Sequence, residues 1–214
     1  MSKMIKIPLI LCIVTLLTSG LLMLSEKLTH EKIAEQKKIL LLNSLKQLIP
    51  DNLHDNDLIN STVTIYESEL LGHRKVQKVY VGQLQDELSI IALPVTSRTG
   101  YSGDIDLIVG IQANGEITTV KILEQHETPG LGDLIEAHKS DWLLQFPQKS
   151  LENLADKQWQ VKKDGGNFDQ ITGATITPRA VVTAVHQALT YFKDNKAVFE
   201  SINFQTEQSG INHE

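Results

Sequence analysis

A continuous apolar run at residues 7–24, IPLILCIVTLLTSGLLML, constrains this chain most strongly, because it contains no charged side chain. As an α-helix rising about 1.5 Å per residue, the run spans roughly 27 Å, close to the thickness of the hydrocarbon core of a bilayer. Lys3 and Lys6 precede it, and acidic and basic residues are mixed after it. Because positive charge favours the cytoplasmic side, we expect residues 1–6 in the cytoplasm, residues 7–24 as a transmembrane anchor and the rest exported.

A cleaved signal peptide is the alternative for this end of the chain. The apolar stretch at residues 7–17 is followed by the small residues 18–20, which resemble a cleavage site. The apolar run resumes at residues 21–24, beyond the point where cleavage would occur. This continuation favours an uncleaved anchor.

The composition excludes several classes of function. The formal charge is −6 and the sequence has no lysine and arginine cluster, which argues against nucleic-acid binding, because phosphate repels an acidic surface. Cys12 is the only cysteine, so the chain cannot form an internal disulfide, a four-thiolate iron–sulfur cluster or a Cys-x-x-Cys zinc or haem site. The seven histidines lack the paired spacing of metal ligands on one helical face. No metal site is expected, and a redox role would need an organic cofactor.

The remainder of the chain divides into a helical segment, a domain and a tail. Residues 26–48 repeat apolar side chains with a helical period and stop before Pro50, so residues 25–50 are interpreted as a stalk or first packing helix. Residues 205–214 are polar and are interpreted as a tail. An exported domain is expected between them, at residues 51–204.

Short β-like runs dominate the first part of that domain. In residues 104–124, apolar side chains alternate at Ile105, Leu107, Val109 and Ile111, Asn114-Gly115 interrupts the pattern, and residues 117–123 resume β character, which indicates a β-hairpin. Because strands come first and helices later, the order predicts an α+β domain with an antiparallel sheet and flanking helices. The other predicted strands are Ser61–Tyr66, Val76–Val81 and Leu88–Val95.

The hairpin leads directly into the segment HETPGLG, residues 126–132. Pro129 fixes φ at the first corner of a turn and Gly130 accepts φ > 0 at the second, so the pair predicts a type II turn. Gly132 adds a position without a side chain, where backbone can approach a planar ligand closely. The alternative is a tight connection into a possible helix at residues 133–144.

The segment DQITGATITPR, residues 169–179, precedes the clearest helical pattern in the chain. Thr177 is predicted as the N-cap and Pro178 as the first helical residue. The hydroxyls of Thr172, Thr175 and Thr177 would then cluster beside a helix amino terminus, where free N–H groups and the helix dipole favour a phosphate. Ordinary capping without a ligand is the alternative. The predicted apolar stripe of the helix comprises Val181, Val182, Val185, Ala188, Leu189 and Phe192.

Both segments resemble the motifs of a known family. The sequence DQITGATITPRAVV resembles the covalent-flavin attachment site of FMN-binding domains, and HETPGLG resembles their second motif. Three further features match: GYSGDIDLIVGI at residues 100–111, DWLLQF at residues 141–146 and the single amino-terminal span. The chain thus resembles the G subunits of the Rnf (Rsx) ion-translocating electron transport complexes over roughly residues 5–192.

This resemblance implies which residues hold the cofactor. In the family, a separate flavin transferase that uses FAD joins FMN, through its phosphate, to the last threonine of an Asp-x-x-Ser/Thr-Gly-Ala-Thr pattern, which is Thr175 here. Asp169 is a candidate for orienting or deprotonating that hydroxyl, and an ordinary surface turn aspartate is the alternative. The other expected cofactor-binding residues are Thr172, Gly173, Ala174, Thr177, Glu127, Thr128, Gly130, Leu131 and Gly132.

The same resemblance implies a function in electron transfer. The chain would carry covalent FMN and relay electrons within a bacterial inner-membrane complex, with its bulk in the periplasm. Its partners would be other membrane, flavin and iron–sulfur subunits, which together couple electron transfer between NADH and ferredoxin to ion translocation. No side chain is expected to act as a catalytic acid, base or nucleophile. The alternatives are the C subunit of the sodium-translocating NADH:quinone reductase, an anchored periplasmic interaction module without cofactor, and a b-type haem carrier.

Overall fold

The structure is a computed structural model that describes residues 11, 12, 14–16, 18–20, 45 and 48–202. The described residues between 11 and 20 are helical. Within the described part of the chain, no helix has both the length and the apolar character needed to cross a bilayer. The predicted anchor and stalk lie largely outside the described residues and the tail lies wholly outside them, so the division of the chain into anchor, stalk and exported domain stays a prediction.

Five strands form one antiparallel sheet in which each strand pairs with the next along the chain. This arrangement confirms the predicted antiparallel sheet and the hairpin around Asn114-Gly115, where Gly115 has a φ of +86°. Strands β2 and β3 extend beyond their predicted ends and are joined by the turn Gln85-Asp86. Both turn residues have positive φ, although neither is the glycine or asparagine usual in such a turn. The strands are β1 (Thr62–Ile65), β2 (Gln77–Leu84), β3 (Glu87–Ser97), β4 (Ile105–Gln112) and β5 (Ile117–Glu124).

One helix, α1 (Ile176–Glu200), packs on one face of the sheet against β3 and β4. Every residue of its predicted apolar stripe is buried, which confirms the helical pattern. Side chains on β4 alternate between the two faces of the sheet, as expected for a strand. Leu107 and Val109 join the cluster that contains the helix, whereas Ile108 joins a second cluster.

That second cluster covers the opposite face of the sheet. Leu45 and Leu48, the last apolar residues of the predicted stalk pattern, are helical and almost completely buried in it. They pack with Tyr80, Ile90 and Ile108. Because both faces of β3 and β4 are covered, the central parts of these strands carry apolar residues at successive positions.

The connection from β5 to α1 differs from the prediction. The possible helix at residues 133–144 is wrong, because two short 3-10 helices, Gly132–Ile135 and Trp142–Gln145, occupy this region instead. Ser140 explains the break: its hydroxyl donates to the Leu134 carbonyl and accepts from the Trp142 amide, competing with helical backbone bonds. In the described part of the chain, the other 3-10 helices are Asp51–Leu53, Asp156–Gln158 and Lys162–Asp164.

Candidate functional site

A cavity of about 460 Å³ lies where three segments of the domain meet. One segment precedes β4, one follows β5, and one leads into α1. The last two are the two sequence motifs, residues 126–132 and 169–179, which are far apart in the chain. The lining residues are Tyr101, Glu127, Thr128, Leu131, Gly132, Gly173, Ala174, Thr175, Ile176 and Thr177.

The segment HETPGLG, residues 126–132, contains the expected type II turn. The Leu131 amide donates to the Thr128 carbonyl at 3.1 Å, and Gly130 at the third position has a φ of +76°. Pro129 occupies the second position, where its fixed φ suits the turn. Beyond the turn, the Asp133 carboxylate accepts from the Lys139 ammonium at 2.8 Å, which holds the pKa of Asp133 below its usual range.

Gly132 is required by packing within the protein. A Cβ at this position would lie 2.8 Å from the Cβ and Oε2 of Glu127 and 2.9 Å from Oγ1 of Thr177. The sequence suggested instead that Gly132 leaves room for a ligand. Gly130 differs, since a Cβ there would meet no described atom within 4 Å.

The segment DQITGATITPR, residues 169–179, also contains a turn. The Ala174 amide donates to the Ile171 carbonyl at 3.1 Å, and Gly173 at the third position has a φ of +82°. Helix α1 then begins at Ile176, with Thr175 as the N-cap. Thr175 is half-buried on the cavity, and within the described part of the chain its hydroxyl makes no capping hydrogen bond. A threonine hydroxyl is therefore free beside the positive end of the helix dipole.

The predicted N-cap is wrong. Thr177 lies in the first turn of α1 rather than ahead of it, and Pro178 is the third helical residue rather than the first. The Thr177 hydroxyl is buried and donates to Oε2 of Glu127 instead of to the helix end. Pro178 is tolerated there because the first four amides of a helix have no partner within the helix.

Glu127 connects the three segments around the cavity. Its side chain is only 4% exposed, and its two carboxylate oxygens accept from different parts of the chain. Oε2 accepts from the Thr177 hydroxyl, and Oε1 accepts from the Ser102 amide at 3.0 Å. A buried carboxylate is stable only when its oxygens are hydrogen-bonded, so Glu127 holds these segments in one arrangement.

Three of the expected site residues lie elsewhere. The described residues that line the cavity do not include Asp169, Thr172 or Gly130. The Asp169 carboxylate pairs with the Lys162 ammonium at 2.5 Å, and both side chains are more than half exposed. Its backbone is bound on both sides, because the Trp142 indole N–H donates to its carbonyl and its amide donates to Oε1 of Gln145, each at 2.6 Å.

Sequence reasoning missed two lining residues. Tyr101 belongs to the segment GYSGDIDLIVGI, which carried the resemblance without a role being given to its tyrosine. Ile176 lies between Thr175 and Thr177, two of the expected cofactor-binding residues, and its side chain is 44% exposed. An aromatic between two glycines was the available signal for Tyr101. In its segment, the Ser102 amide donates to Glu127. These two residues lie too far apart in the chain for hydrophobic periodicity to reveal the contact.

Comparison with known proteins identifies the family. Residues 100–190 match the family model described as FMN-binding domain. A protein of Shewanella oneidensis, named as the G subunit of an ion-translocating oxidoreductase complex, is 45% identical over 196 residues, covering 92% of each chain. A protein of the same name from Pseudomonas aeruginosa is 42% identical over 194 residues, covering 91% of each. The chain belongs to this family, the G subunits of ion-translocating oxidoreductase complexes.

Within the chain, the matched FMN-binding domain includes Tyr101 and both motifs. The resemblance to FMN-binding domains is thereby confirmed, and FMN is the cofactor that such a domain binds. The crystal structure of Shewanella oneidensis NqrC is also similar, with 21% identity and a TM-score of 0.45, covering 69% of this chain and 76% of that one. The roles of individual residues stay predictions.

Proposed function

We propose that this chain is the flavoprotein subunit of an ion-translocating oxidoreductase complex, and that FMN occupies the cavity with its phosphate bonded to Oγ of Thr175. One observation carries the proposal: the free Thr175 hydroxyl, the amino terminus of α1 and the second motif border the same cavity. The chain then serves as an electron carrier, as the names of its relatives imply, and the other subunits of the complex are its partners.

The cavity suits the two ends of FMN. Its volume of about 460 Å³ lies within the range of roughly 300 to 1,000 Å³ typical of small-molecule sites. At one end, free amides of the first turn of α1 and its dipole favour a phosphate, and no acidic side chain lies in the described first turn. Elsewhere the walls carry apolar side chains with exposed surface, of Tyr101, Leu131 and Ile176, which suit an aromatic ring.

Bound FMN would supply the redox chemistry, accepting electrons from one partner and passing them to another. The residues of this chain retain, orient and shield it. Thr175 fixes the phosphate, the turn at Thr128–Leu131 forms one wall, and Glu127 holds the walls together through Ser102 and Thr177. A covalent bond makes retention independent of non-covalent affinity, which suits an exported domain that cannot recapture a lost flavin.

The bond to Thr175 requires a separate flavin transferase with FAD. The threonine oxygen would attack the phosphorus of the FMN half, forming the Oγ–P bond and breaking the pyrophosphate bond, while AMP leaves and the hydroxyl proton passes to a base. Asp169 is the candidate base in this chain, but its pairing with Lys162 and its place outside the cavity lining favour a turn aspartate instead. The base is then a group of the transferase.

The proposal is tested by the intact mass of the protein purified from membranes. The wild type should carry one FMN adduct, and Thr175→Ala should lose it completely while unfolding at most about 1 to 2 kcal/mol more easily, since its hydroxyl makes no capping bond. Thr172→Ala is the matched control and should keep the adduct, because Thr172 lies outside the cavity lining. An adduct-free wild type would overturn covalent attachment, and its colour would then separate non-covalently bound FMN from a cofactor-free interaction module.

We also propose that residues 7–24 anchor the chain in the inner membrane as a single span and that residues 51–204 form a periplasmic domain. The uncharged run and the flanking lysines support this orientation. Carbonate-washed membranes should retain the full-length chain, and protease should cleave it beyond residue 24 only when added to the outer face of spheroplasts. A soluble chain that begins at Leu21 would contradict the anchor.

A further inference from the structure

Tyr101 has an aromatic ring at the cavity whose surface the protein leaves largely uncovered. Its side chain is 68% exposed, although it belongs to the cavity lining. Leu131 and Ile176, from the other two segments, are 40% and 44% exposed at the same cavity. Apolar surface that converges on a cavity from three segments marks a ligand site.

The backbone on both sides of Tyr101 is fixed against Glu127. On one side, a Cβ at Gly100 would lie 2.3 Å from the Gly103 carbonyl oxygen and 2.9 Å from Oε1 of Glu127, so this position is closely packed. On the other side, the Ser102 amide donates to the same oxygen at 3.0 Å. The tyrosine is therefore held in a closely packed segment, while its own ring stays largely exposed.

We propose that Tyr101 covers one face of the flavin ring and that Glu127 is the residue that positions it. This inference rests on the proposed function, because it takes FMN to occupy the cavity. A planar aromatic cofactor gains contact from an aromatic side chain on its face, and a largely exposed residue of the cavity lining also limits access of solutes. Tyr101 then controls how exposed the flavin ring is, whereas Thr175 controls whether FMN is attached.

The test measures iodide quenching of flavin fluorescence in the full-length protein with its attached FMN. Tyr101→Ala should raise the quenching constant about twofold, because one of the two faces of the ring becomes accessible. Tyr101→Phe should behave like the wild type, since the covering ring is kept. Tyr66→Ala is the matched control: Tyr66 is 59% exposed and lies outside the cavity lining, and the change alters no charge.

Glu127→Gln tests the positioning role. In the presence of Tyr101 it should raise the quenching constant by a smaller factor, because a neutral amide oxygen accepts from the Ser102 amide more weakly than a carboxylate does. In the Tyr101→Ala background it should add nothing, since the residue through which it acts is gone. An equal rise in both backgrounds would overturn the positioning role.

Intact mass separates this proposal from the proposed function. If the wild type carries no FMN, the proposed function fails first. If the wild type and Tyr101→Ala both carry one FMN and their quenching constants are equal, the covering role is overturned while the attachment at Thr175 stands. Loss of the adduct in both Tyr101→Ala and Tyr101→Phe would also overturn it, since the phenol would then be needed for attachment.

Discussion

The two turns that border the cavity have the same backbone and different surroundings. In each, an amide donates to the carbonyl three residues earlier at 3.1 Å, and a glycine with left-handed φ occupies the third position, Gly130 in one and Gly173 in the other. The first turn continues into the buried and closely packed Gly132. The second continues into Thr175, which is half-buried with a free hydroxyl.

This difference shows how one local conformation serves two purposes. Beyond the first turn, Glu127 and Thr177 occupy the space around Gly132, so the segment acts as a wall whose shape is fixed by packing. Beyond the second turn, the Thr175 side chain lines the cavity, and in the proposed function this segment supplies the hydroxyl that carries FMN. Changes in the wall should therefore alter stability, whereas the change at Thr175 should alter chemistry.

The largest effect on stability is expected from Gly132→Val. The new side chain would overlap Glu127 and Thr177. Valine can therefore adopt no low-energy rotamer at this position unless these two side chains move. We expect a loss of about 3 kcal/mol or more in the free energy of unfolding, at the upper end of overpacking effects. Denaturant unfolding of the full-length protein in detergent measures this loss.

Gly130→Asn is the control for that experiment. Asparagine tolerates a left-handed φ, and its side chain would enter a space where a Cβ meets no described atom within 4 Å. We expect a change below about 1 kcal/mol, as for other surface substitutions. Equal losses in the free energy of unfolding for Gly132→Val and Gly130→Asn would show that both glycines serve only the turn, and would contradict the packing role of Gly132.

The sheet and α1 could be predicted from sequence because their signals are local. Alternating apolar residues before Asn114-Gly115 and β-like residues after it predicted the hairpin, and the apolar stripe predicted the helix. The helix predicted at residues 133–144 failed because Ser140 binds backbone groups that a helix would need. Such competition is invisible in hydrophobic periodicity.

The candidate site could be predicted in part for the same reason. Both motifs carry their own turn signals, and most of the residues chosen from them line one cavity. The role of Thr177 could not be predicted, because a threonine before a proline has the local signature of an N-cap while its true partner, Glu127, lies fifty positions earlier in the chain. Long-range hydrogen bonds of buried side chains leave no periodic trace in the sequence.

Thr177→Val should have a smaller effect than Gly132→Val and should separate hydrogen bonding from packing. Valine keeps the shape of threonine but removes the hydroxyl that donates to Oε2 of Glu127. That oxygen would stay buried with one partner fewer, while Oε1 keeps the Ser102 amide. We expect a loss of about 1.5 to 3 kcal/mol in the free energy of unfolding, the usual range for a hydrogen bond to a charged group, with the FMN adduct retained.

Thr177→Ser keeps the hydroxyl and should lose clearly less. If Thr177→Val lost the adduct while Thr175→Ala kept it, Thr177 rather than Thr175 would carry FMN, and the contrast between the two segments would be wrong.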